Sequence, residues 1–203
     1  MMLVMNAPED RTADGTDQSA PGRLELVREF VNTLDVMEAT EELADGPRAA
    51  GWLTGHGVAI GDAAFTAAEV ERLVAVREAL RELLLANNAG EPPPEAALTT
   101  LNRQSSEAEI GLWFGPDGAD LVTRCDGVDC AIAELLAIVH GSMRDGTWQR
   151  LKVCPADDCR WAFYDHSRNR SGTWCVMGEC GNRAKARRYR ERHRDRPATK
   201  RNR

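Results

Sequence analysis

The most informative segment of this chain is CPADDCRWAFYDHSRNRSGTWCVMGECGNRAKARRYRER, residues 154–192. Its four cysteines follow the pattern C-x4-C-x15-C-x4-C and are Cys154, Cys159, Cys175 and Cys180. Two close pairs separated by a hairpin-length span can place four thiolates at the corners of a tetrahedron, as a structural zinc site requires. The pattern therefore predicts one structural Zn²⁺ per chain, with a redox role or unliganded thiols as alternatives. Four cysteine ligands leave no open position for a catalytic water.

The residues around the two pairs predict a treble-clef-like zinc finger. The first pair encloses a tight turn, a knuckle whose backbone N–H groups can face the thiolates, and residues 160–164 continue as a strand. The second pair lies at the start of a basic helix that extends from residue 183 to residue 196. Because a helix N-terminus favours ionised thiolates, we expect the metal to hold the base of that helix.

Charge is divided unevenly along the chain. Residues 1–149 carry 10 Lys and Arg against 26 Asp and Glu, a net charge of −16. Residues 150–203 carry 16 against 6, a net charge of +10. A basic terminal module indicates a polyanionic partner, and we predict a nucleic acid; the residues themselves do not separate DNA from RNA. The alternatives are an acidic protein partner, a solvated basic tail, or a helix docked on the acidic part of the chain itself.

The predicted nucleic-acid contacts come from the basic helix and from the loop that precedes it. At about 100° per residue the basic side chains surround the helix, so some face solvent whatever the partner is. The loop adds donors suited to phosphate. The predicted contact residues are Arg168, Asn169, Arg170, Asn182, Arg183, Lys185, Arg187, Arg188, Arg190 and Arg192.

The rest of the chain predicts a mainly α-helical domain with one small β-hairpin. Apolar residues recur at three- and four-residue steps from residue 24, from 66 to 87 and from 128 to 143, which is the helical period. A short helix around Trp52 and another over residues 94–102 complete the set, with a break at Gly46-Pro47. Turn residues 115–118 lie between two apolar segments and predict the hairpin.

Composition places the domain boundaries. We predict a disordered leader over residues 1–21, a helical domain over 22–146, a zinc finger with its basic helix over 147–196, and a disordered tail over 197–203. The junction lacks a Gly/Ser linker, so we expect the two ordered parts to pack together.

Two arginines of the long helix fall inside its apolar arc. Arg77 and Arg81 lie one turn apart, and buried guanidinium groups require anionic partners. One hypothesis is an internal ion pair with Asp35 or another carboxylate. The other is a pocket in which both arginines clamp a small acidic or polar ligand. The candidate lining residues are Asn32, Thr33, Asp35, Trp52, Arg77, Arg81 and Asn102.

Other features exclude functions rather than assign one. Cys125 and Cys130 repeat the x4 spacing outside the motif; we expect ordinary half-buried cysteines, with a second metal pair or a redox couple as alternatives. The four histidines pair with no nucleophile or carboxylate motif, so we expect no enzyme. No secretory signal and no apolar stretch of about 18 residues is present, which predicts a cytoplasmic protein without a membrane partner. The oligomeric state stays open.

Two segments of the chain resemble a known family. CGNRAK, with the upstream CP-x3-C and DHSRNRSGTWC, resembles the CGNR zinc finger. FVNTLD at residues 30–35, Trp52-Leu53, LVAVREALRELL at residues 73–84 and Leu101-Asn102-Arg103 resemble the ABATE domain that usually precedes this finger in bacterial proteins. The resemblance covers residues 23–193. It implies a stress-related bacterial transcriptional regulator, with the finger on DNA and the larger domain receiving a ligand or signal.

Overall fold

The computed structural model describes residues 17–61, 64–116, 118–122 and 125–194. These residues form a mainly helical fold with three small antiparallel sheets. The elements are α1 (Leu24–Asn32), β1 (Leu34–Asp35), β2 (Thr40–Glu41), α2 (Gly46–Gly55), α3 (Ala67–Ala89), α4 (Glu95–Glu107), β3 (Gly111–Gly115), β4 (Gly118–Val122), α5 (Gly127–Asp145), β5 (Leu151–Val153), β6 (Ala162–Tyr164) and α6 (Asn182–Arg194). Each sheet pairs two strands that are consecutive in the chain. A 3₁₀ turn (Trp148–Arg150) precedes β5, and a π-helical turn (Met177–Gly181) precedes α6.

The predicted fold class is confirmed, and local sequence signals account for both ends of α3 and for the end of α5. Thr66 and Glu69 form a reciprocal capping box at the start of α3, and Gly90 ends the helix in the left-handed conformation with φ 70°. Gly146 ends α5 in the same way, with φ 80°. The predicted hairpin is present as β3 and β4, paired from Gly111 opposite Val122 to Gly115 opposite Gly118.

Two helix predictions need correction. Gly46-Pro47, expected to break a helix, instead begins α2. The Asp45 side chain accepts the N–H of Arg48 at 2.9 Å, and Pro47 is tolerated at the second helical position because N–H groups of the first turn have no partner within the helix. Helix α4 continues to Glu107, five residues beyond the predicted end at Asn102. Its polar second half gives no apolar period from which that length could be predicted.

The main hydrophobic core joins the helices to the β5–β6 hairpin of the zinc finger, while the four cysteines lie in a second buried core. Phe30 of α1, Leu80 of α3 and Leu135 of α5 are fully buried. The same cluster includes Leu151 of β5 and Ala162 of β6, both at 0% exposure. Burying a side chain such as leucine stabilises a fold by about 1.5–3 kcal/mol. The β5–β6 hairpin is therefore part of the helical core.

Asparagine side chains bond the helices to the backbone of the finger. Asn32 donates to the carbonyl of Ala162 at 3.0 Å and accepts its N–H at 2.7 Å. At the end of α3, Asn87 donates to Trp148 and Leu151, while Asn88 donates to Val153 and Thr173, all at 2.7–3.1 Å. These bonds fix the orientation of the finger on the helical part.

Residues 17–21, assigned from composition to a disordered leader, belong to the fold instead. Gln18 and Ala20 are buried, the carbonyl of Gln18 accepts the N–H of Tyr164 at 3.0 Å, and its side chain donates to Cys175 at 3.0 Å. The segment supplies partners to exposed backbone groups of the finger, which composition does not reveal. The predicted leader over residues 1–16 and the predicted tail over 197–203 lie outside the described residues. Among the described helices, none is both long and apolar enough to cross a membrane.

Candidate metal centre and nucleic-acid interface

Four cysteine sulfurs converge at the base of helix α6. The Sγ atoms of Cys154, Cys159, Cys175 and Cys180 all lie within 4.8 Å of one another, and all four residues are buried. The Sγ atoms of Cys159 and Cys175 are 3.5 Å apart, and those of Cys175 and Cys180 are 3.7 Å apart. A tetrahedron with Zn–S distances of about 2.3 Å has S–S edges of about 3.8 Å. The cluster therefore has the dimensions of a four-thiolate zinc site.

The first cysteine pair is held by a tight knuckle between β5 and β6. The N–H of Cys159 donates to the carbonyl of Ala156, and the N–H of Cys154 donates to that of Trp161, both at 2.9 Å. The N–H of Ala156 also bonds Cys154 Sγ, and the N–H of Trp161 bonds Cys159 Sγ. Arg160 closes the turn with φ 56°. Both sulfurs thus accept backbone N–H groups, as thiolate ligands of a metal do.

The second pair is carried by the π-helical turn that leads into α6. The N–H groups of Cys180 and Gly181 both donate to the carbonyl of Val176, at 3.0 and 3.4 Å. A Cβ at Gly181 would meet Sδ of Met177 at 2.4 Å, so a larger residue there would displace the exposed Met177 side chain. Asn182 then donates from its side chain to the carbonyl of Gly178 at 2.7 Å. The wide turn places Cys180 beside Cys175 and starts the helix at the metal site.

The four sulfurs on their own resist joint ionisation. Hydrogen bonds from Cys159 and Cys175 lower the pKa of Cys154 to about 4. Hydrogen bonding to Cys154 raises the pKa of Cys159 and of Cys175, and burial raises the pKa of Cys180. A divalent cation removes this conflict because it coordinates all four groups as thiolates. The donor set therefore fits Zn²⁺.

The exposed side chain of Arg183 contacts one of the metal ligands. Its Nη2 donates to Cys180 Sγ at 3.1 Å and lies 3.8 Å from Oδ1 of Asp158. The slight burial of Arg183 would lower its pKa, but the interactions with Cys180 and Asp158 raise it. Its Nη1 is 3.9 Å from Sδ of Met37, in the loop between β1 and β2. Arg183, predicted as a nucleic-acid contact, thus supplies positive charge to a site that carries a formal charge of −2 with zinc bound.

The remainder of α6 is exposed. Between residues 185 and 193 every side chain is exposed, and within the described part of the chain α6 contacts chiefly the turn that precedes it. Its 13 residues extend about 20 Å at 1.5 Å per residue. The exposed basic residues are Lys185, Arg187, Arg188, Arg190 and Arg192. Helix α6 is therefore a projecting basic rod with a fixed base.

A buried ion pair supports the loop with the other predicted contacts. Lys152 Nζ donates to Asp165 Oδ2 at 2.7 Å and to the carbonyls of Arg170 and Gly172 at 2.7 and 2.8 Å. Asp165 also accepts the N–H groups of Ser167 and Gly172. Burial would raise the pKa of Asp165, but these bonds, chiefly the one from Lys152, lower it to about 2.

The supported loop leaves its polar side chains outside. Arg168, Asn169 and Arg170 are exposed, and Arg170 adopts φ 54°. In the sequence, the spacing of charged residues did not show that Lys152 and Asp165 form an ion pair that supports this loop. The sequence signal that could have shown it is a lysine between two apolar strand residues, Leu151 and Val153.

The arginines of the predicted ligand site are bonded to internal partners. Arg77 forms a bidentate pair with Glu41, at 2.6 and 2.8 Å, and donates to Glu78 and Thr33 at 2.8 and 3.1 Å. Burial alone would raise the pKa of Glu41, but the hydrogen bonds from Arg77 and the N–H of Leu43 lower it. Arg77 thus has the internal ion pair that was one of the two hypotheses, with Glu41 and Glu78 as its carboxylates instead of Asp35.

The other proposed lining residues are only partly brought together. Arg81 donates to Glu78 at 3.0 Å and to the carbonyls of Val31 and Arg160, so it links α3 to α1 and to the knuckle. Asn32 bonds Ala162, and Asp35 accepts the N–H groups of the next loop. Trp52 packs against Phe30 and His56. Asn102 is exposed on α4. A ligand site here stays a prediction.

The structure also corrects the expectation for the two cysteines outside the motif. Cys125 and Cys130 are half-buried and are joined in a disulfide, with Cα atoms 5.1 Å apart. Cys125 precedes α5 and Cys130 lies in its first turn, so the start of the helix brings them within the range that a disulfide requires. Their half-buried position agrees with the expectation for ordinary cysteines, while the bond between them is at odds with free thiols and with a second metal pair.

Comparison with known families gives two matches. A CGNR zinc finger model matches residues 150–193. The ABATE model, described as a putative stress-induced transcription regulator, matches residues 24–140. Neither description names an enzyme, and no curated protein matches the chain. Both resemblances drawn from the sequence are confirmed.

Proposed function

The chain belongs to the ABATE family, whose model matches more than half of its length, and on that premise we propose that it is a transcription regulator binding duplex DNA through its CGNR zinc finger. The observation that carries this proposal is the exposed basic helix α6, which starts at the four-cysteine cluster and contacts little else. A regulator of this kind acts in the cytoplasm of a bacterial cell.

The dimensions and charge of α6 suit a DNA groove. The major groove is about 12 Å wide and admits one α-helix. Basic residues on all sides of α6 can reach phosphates on both walls of that groove, which gives affinity that depends on salt. Arg168, Asn169 and Arg170 on the supported loop would add phosphate contacts beside the helix.

The residues around the metal have a positioning role. Zinc, when bound, ties the four thiolates into one unit at the base of α6. Arg183 bonds Cys180 and offsets the negative charge of the ligands, and Asn182 holds the turn through Gly178. The helix therefore leaves the finger in one direction, so that its side chains meet a groove with little loss of entropy.

The test is a comparison of binding to duplex DNA and RNA over a range of salt concentrations, together with selection of bound duplexes from a random pool. A variant with Arg188 and Arg192 changed to Ala should lose affinity uniformly across sequences. The slope of log K against log salt should fall by about 0.9 for each phosphate that the variant no longer neutralises. Arg103→Ala, an exposed arginine on α4 with 61% side-chain exposure, is the matched control and should bind as the parent does.

Three outcomes would contradict the proposal. Uniformly weak duplex binding with no selected sequence would remove the regulator function. Tighter binding to RNA, with the same loss in the Arg188 and Arg192 variant, would favour the alternative of a zinc-stabilised RNA-binding module. Binding to neither nucleic acid would leave a protein-interaction module.

We extend the proposal to a ligand response only at Arg77. Glu41, its bidentate partner, has a side chain that is 32% exposed, so a small anionic ligand could take its place. Arg77→Met should abolish any effect of small carboxylates on DNA binding. A variant that is more stable than the parent and keeps the full response would assign Arg77 a structural role alone.

A further inference from the structure

A second sulfur site lies away from the metal centre. Cys125 and Cys130 are bonded to each other and half-buried, whereas the four cysteines of the metal centre are buried. Reagents in solution therefore have better access to the Cys125–Cys130 pair than to the cluster. The pair takes no part in the zinc site or in the proposed DNA contacts.

The placement of the pair favours thiol chemistry. Cys130 lies in the first turn of α5, a helix of 19 residues, and Cys125 comes just before the N-cap residue Asp126. The side chain of Asp126 makes no capping hydrogen bond to the described first turn, and the acidic residue of that turn, Asp129, is paired with Arg72 at 2.6 Å. The N-terminus of a helix lowers the pKa of a nearby thiol and makes it a better nucleophile.

The pair also lies at the base of the β3–β4 hairpin. Strand β4 ends at Val122, three residues before Cys125, and within the described residues the two strands contact chiefly each other. The hairpin carries an exposed apolar surface, with Leu112 and Trp113 each 62% exposed and Phe114 76% exposed. The disulfide thus closes a short loop at the start of α5, three residues after the hairpin ends.

We propose that Cys125 and Cys130 form a reversible thiol–disulfide site that reacts with low-molecular-weight disulfides of the glutathione type and restrains the β3–β4 hairpin when oxidised. The Cys130 thiolate attacks one sulfur of the small disulfide, and the other leaves as a thiolate. Cys125 then loses its proton and attacks the Cys130 sulfur, which releases the second small thiol. Two protein thiols become one disulfide, and both electrons pass to the small disulfide, which becomes two thiols.

A redox titration of the full-length zinc-loaded protein in mixtures of reduced and oxidised glutathione tests this site. After alkylation and trypsin digestion, each cysteine pair lies on its own peptide: residues 125–144, 153–160 and 171–183. We expect the 125–144 peptide to become resistant to alkylation and lighter by two hydrogens while zinc is still retained. The proposal is overturned if this pair oxidises only after zinc is released, or if it retains a glutathione adduct without forming an intramolecular disulfide.

Single variants separate the roles of the two sulfurs. Cys125→Ser should accumulate a glutathione adduct at Cys130, because no second thiol is present to release it. Cys130→Ser should form its adduct at Cys125 more slowly. Equal rates in the two variants, with circular dichroism showing both folded, would refute Cys130 as the attacking thiol.

Limited proteolysis tests the restraint on the hairpin. Chymotrypsin should cut at Trp113 and Phe114 several-fold faster in the reduced protein than in the oxidised protein. The Cys125→Ser, Cys130→Ser double variant should be cut at one rate in both buffers. Equal cleavage of the oxidised and reduced parent protein would show that the disulfide does not restrain the hairpin.

Discussion

Asp165→Asn should destabilise the protein by about 3–5 kcal/mol, because it leaves the charged Lys152 buried without a counter-charge. The side chains of Lys152 and Asp165 are only 5% and 2% exposed, and their charged atoms are 2.7 Å apart. Water can therefore do little to stabilise an unpaired ammonium group at this position. Asparagine has nearly the same shape as aspartate, so the substitution removes the charge with little change in packing.

The pKa of Asp165 gives an independent magnitude for the same interaction. A folded-state pKa of about 2 against an ordinary value of 3.8 corresponds to about 2.4 kcal/mol of stability, at 1.36 kcal/mol per pKa unit. Because the folded pKa is the lower one, this stability is present above pH 4 and is lost as the pH falls through 2. The Asp165→Asn variant should lack this part of the acid dependence.

The assay is urea unfolding at neutral pH, followed by circular dichroism at a fixed excess of zinc. Lys152→Met, Asp165→Asn and the double variant form a thermodynamic cycle. The double variant should be more stable than Asp165→Asn alone, because it removes the stranded charge as well. A loss below about 1 kcal/mol in Asp165→Asn, or a double variant whose loss equals the sum of the two single losses, would refute the reasoning.

Three further predictions concern the metal site and the helical part. Arg183→Ala should weaken zinc binding by about 10–100-fold, because it removes a hydrogen bond to a metal ligand. The affinity is measured by competition with a chromophoric chelator, and Arg103→Ala is the control that should bind zinc as the parent does. Equal zinc affinities of Arg183→Ala and the parent would exclude a role of Arg183 in supporting the ligand. Removing zinc should lower the thermal stability of the helices as well as the finger, because the β5–β6 hairpin, whose first strand ends directly before Cys154, belongs to the core of the helices; an unchanged melting curve would contradict this. Gly46→Ala should destabilise by about 1–3 kcal/mol, because its Cβ would overlap the carbonyl oxygen of Phe65, whereas Gly51→Ala in the same helix meets open space and should be neutral or stabilising.

The parts of the structure that could be predicted are those set by local spacing. The four ligands follow from the C-x4-C pairs, and α3 follows from its apolar period and from the Thr66 and Glu69 capping box. Both signals lie within a few residues of the feature that they specify, so no knowledge of the tertiary fold is needed.

The parts that escaped prediction depend on distant or very short elements. Glu41, the partner of Arg77, lies on a two-residue strand that leaves no periodic pattern in the sequence. Gln18 lies in a polar segment and is buried only because the finger offers it two backbone partners. The role of Arg183 as a ligand support was hidden because in sequence it is one arginine among many; only its distance from Cys180 distinguishes it.

The hydrogen bonds of residues 18 and 32 to the finger have a consequence for the order in which the chain can fold during synthesis. Gln18 bonds a residue 157 positions later, and Asn32 bonds one 130 positions later. While the ribosome is still making the last quarter of the chain, α1 and α3 have emerged without the strands that cover them. Such contacts between distant residues form slowly, and the apolar faces are exposed to aggregation until they do. We therefore expect the nascent chain to stay incompletely folded until the final cysteine pair emerges. The supply of metal ion at that moment then sets the yield of native protein.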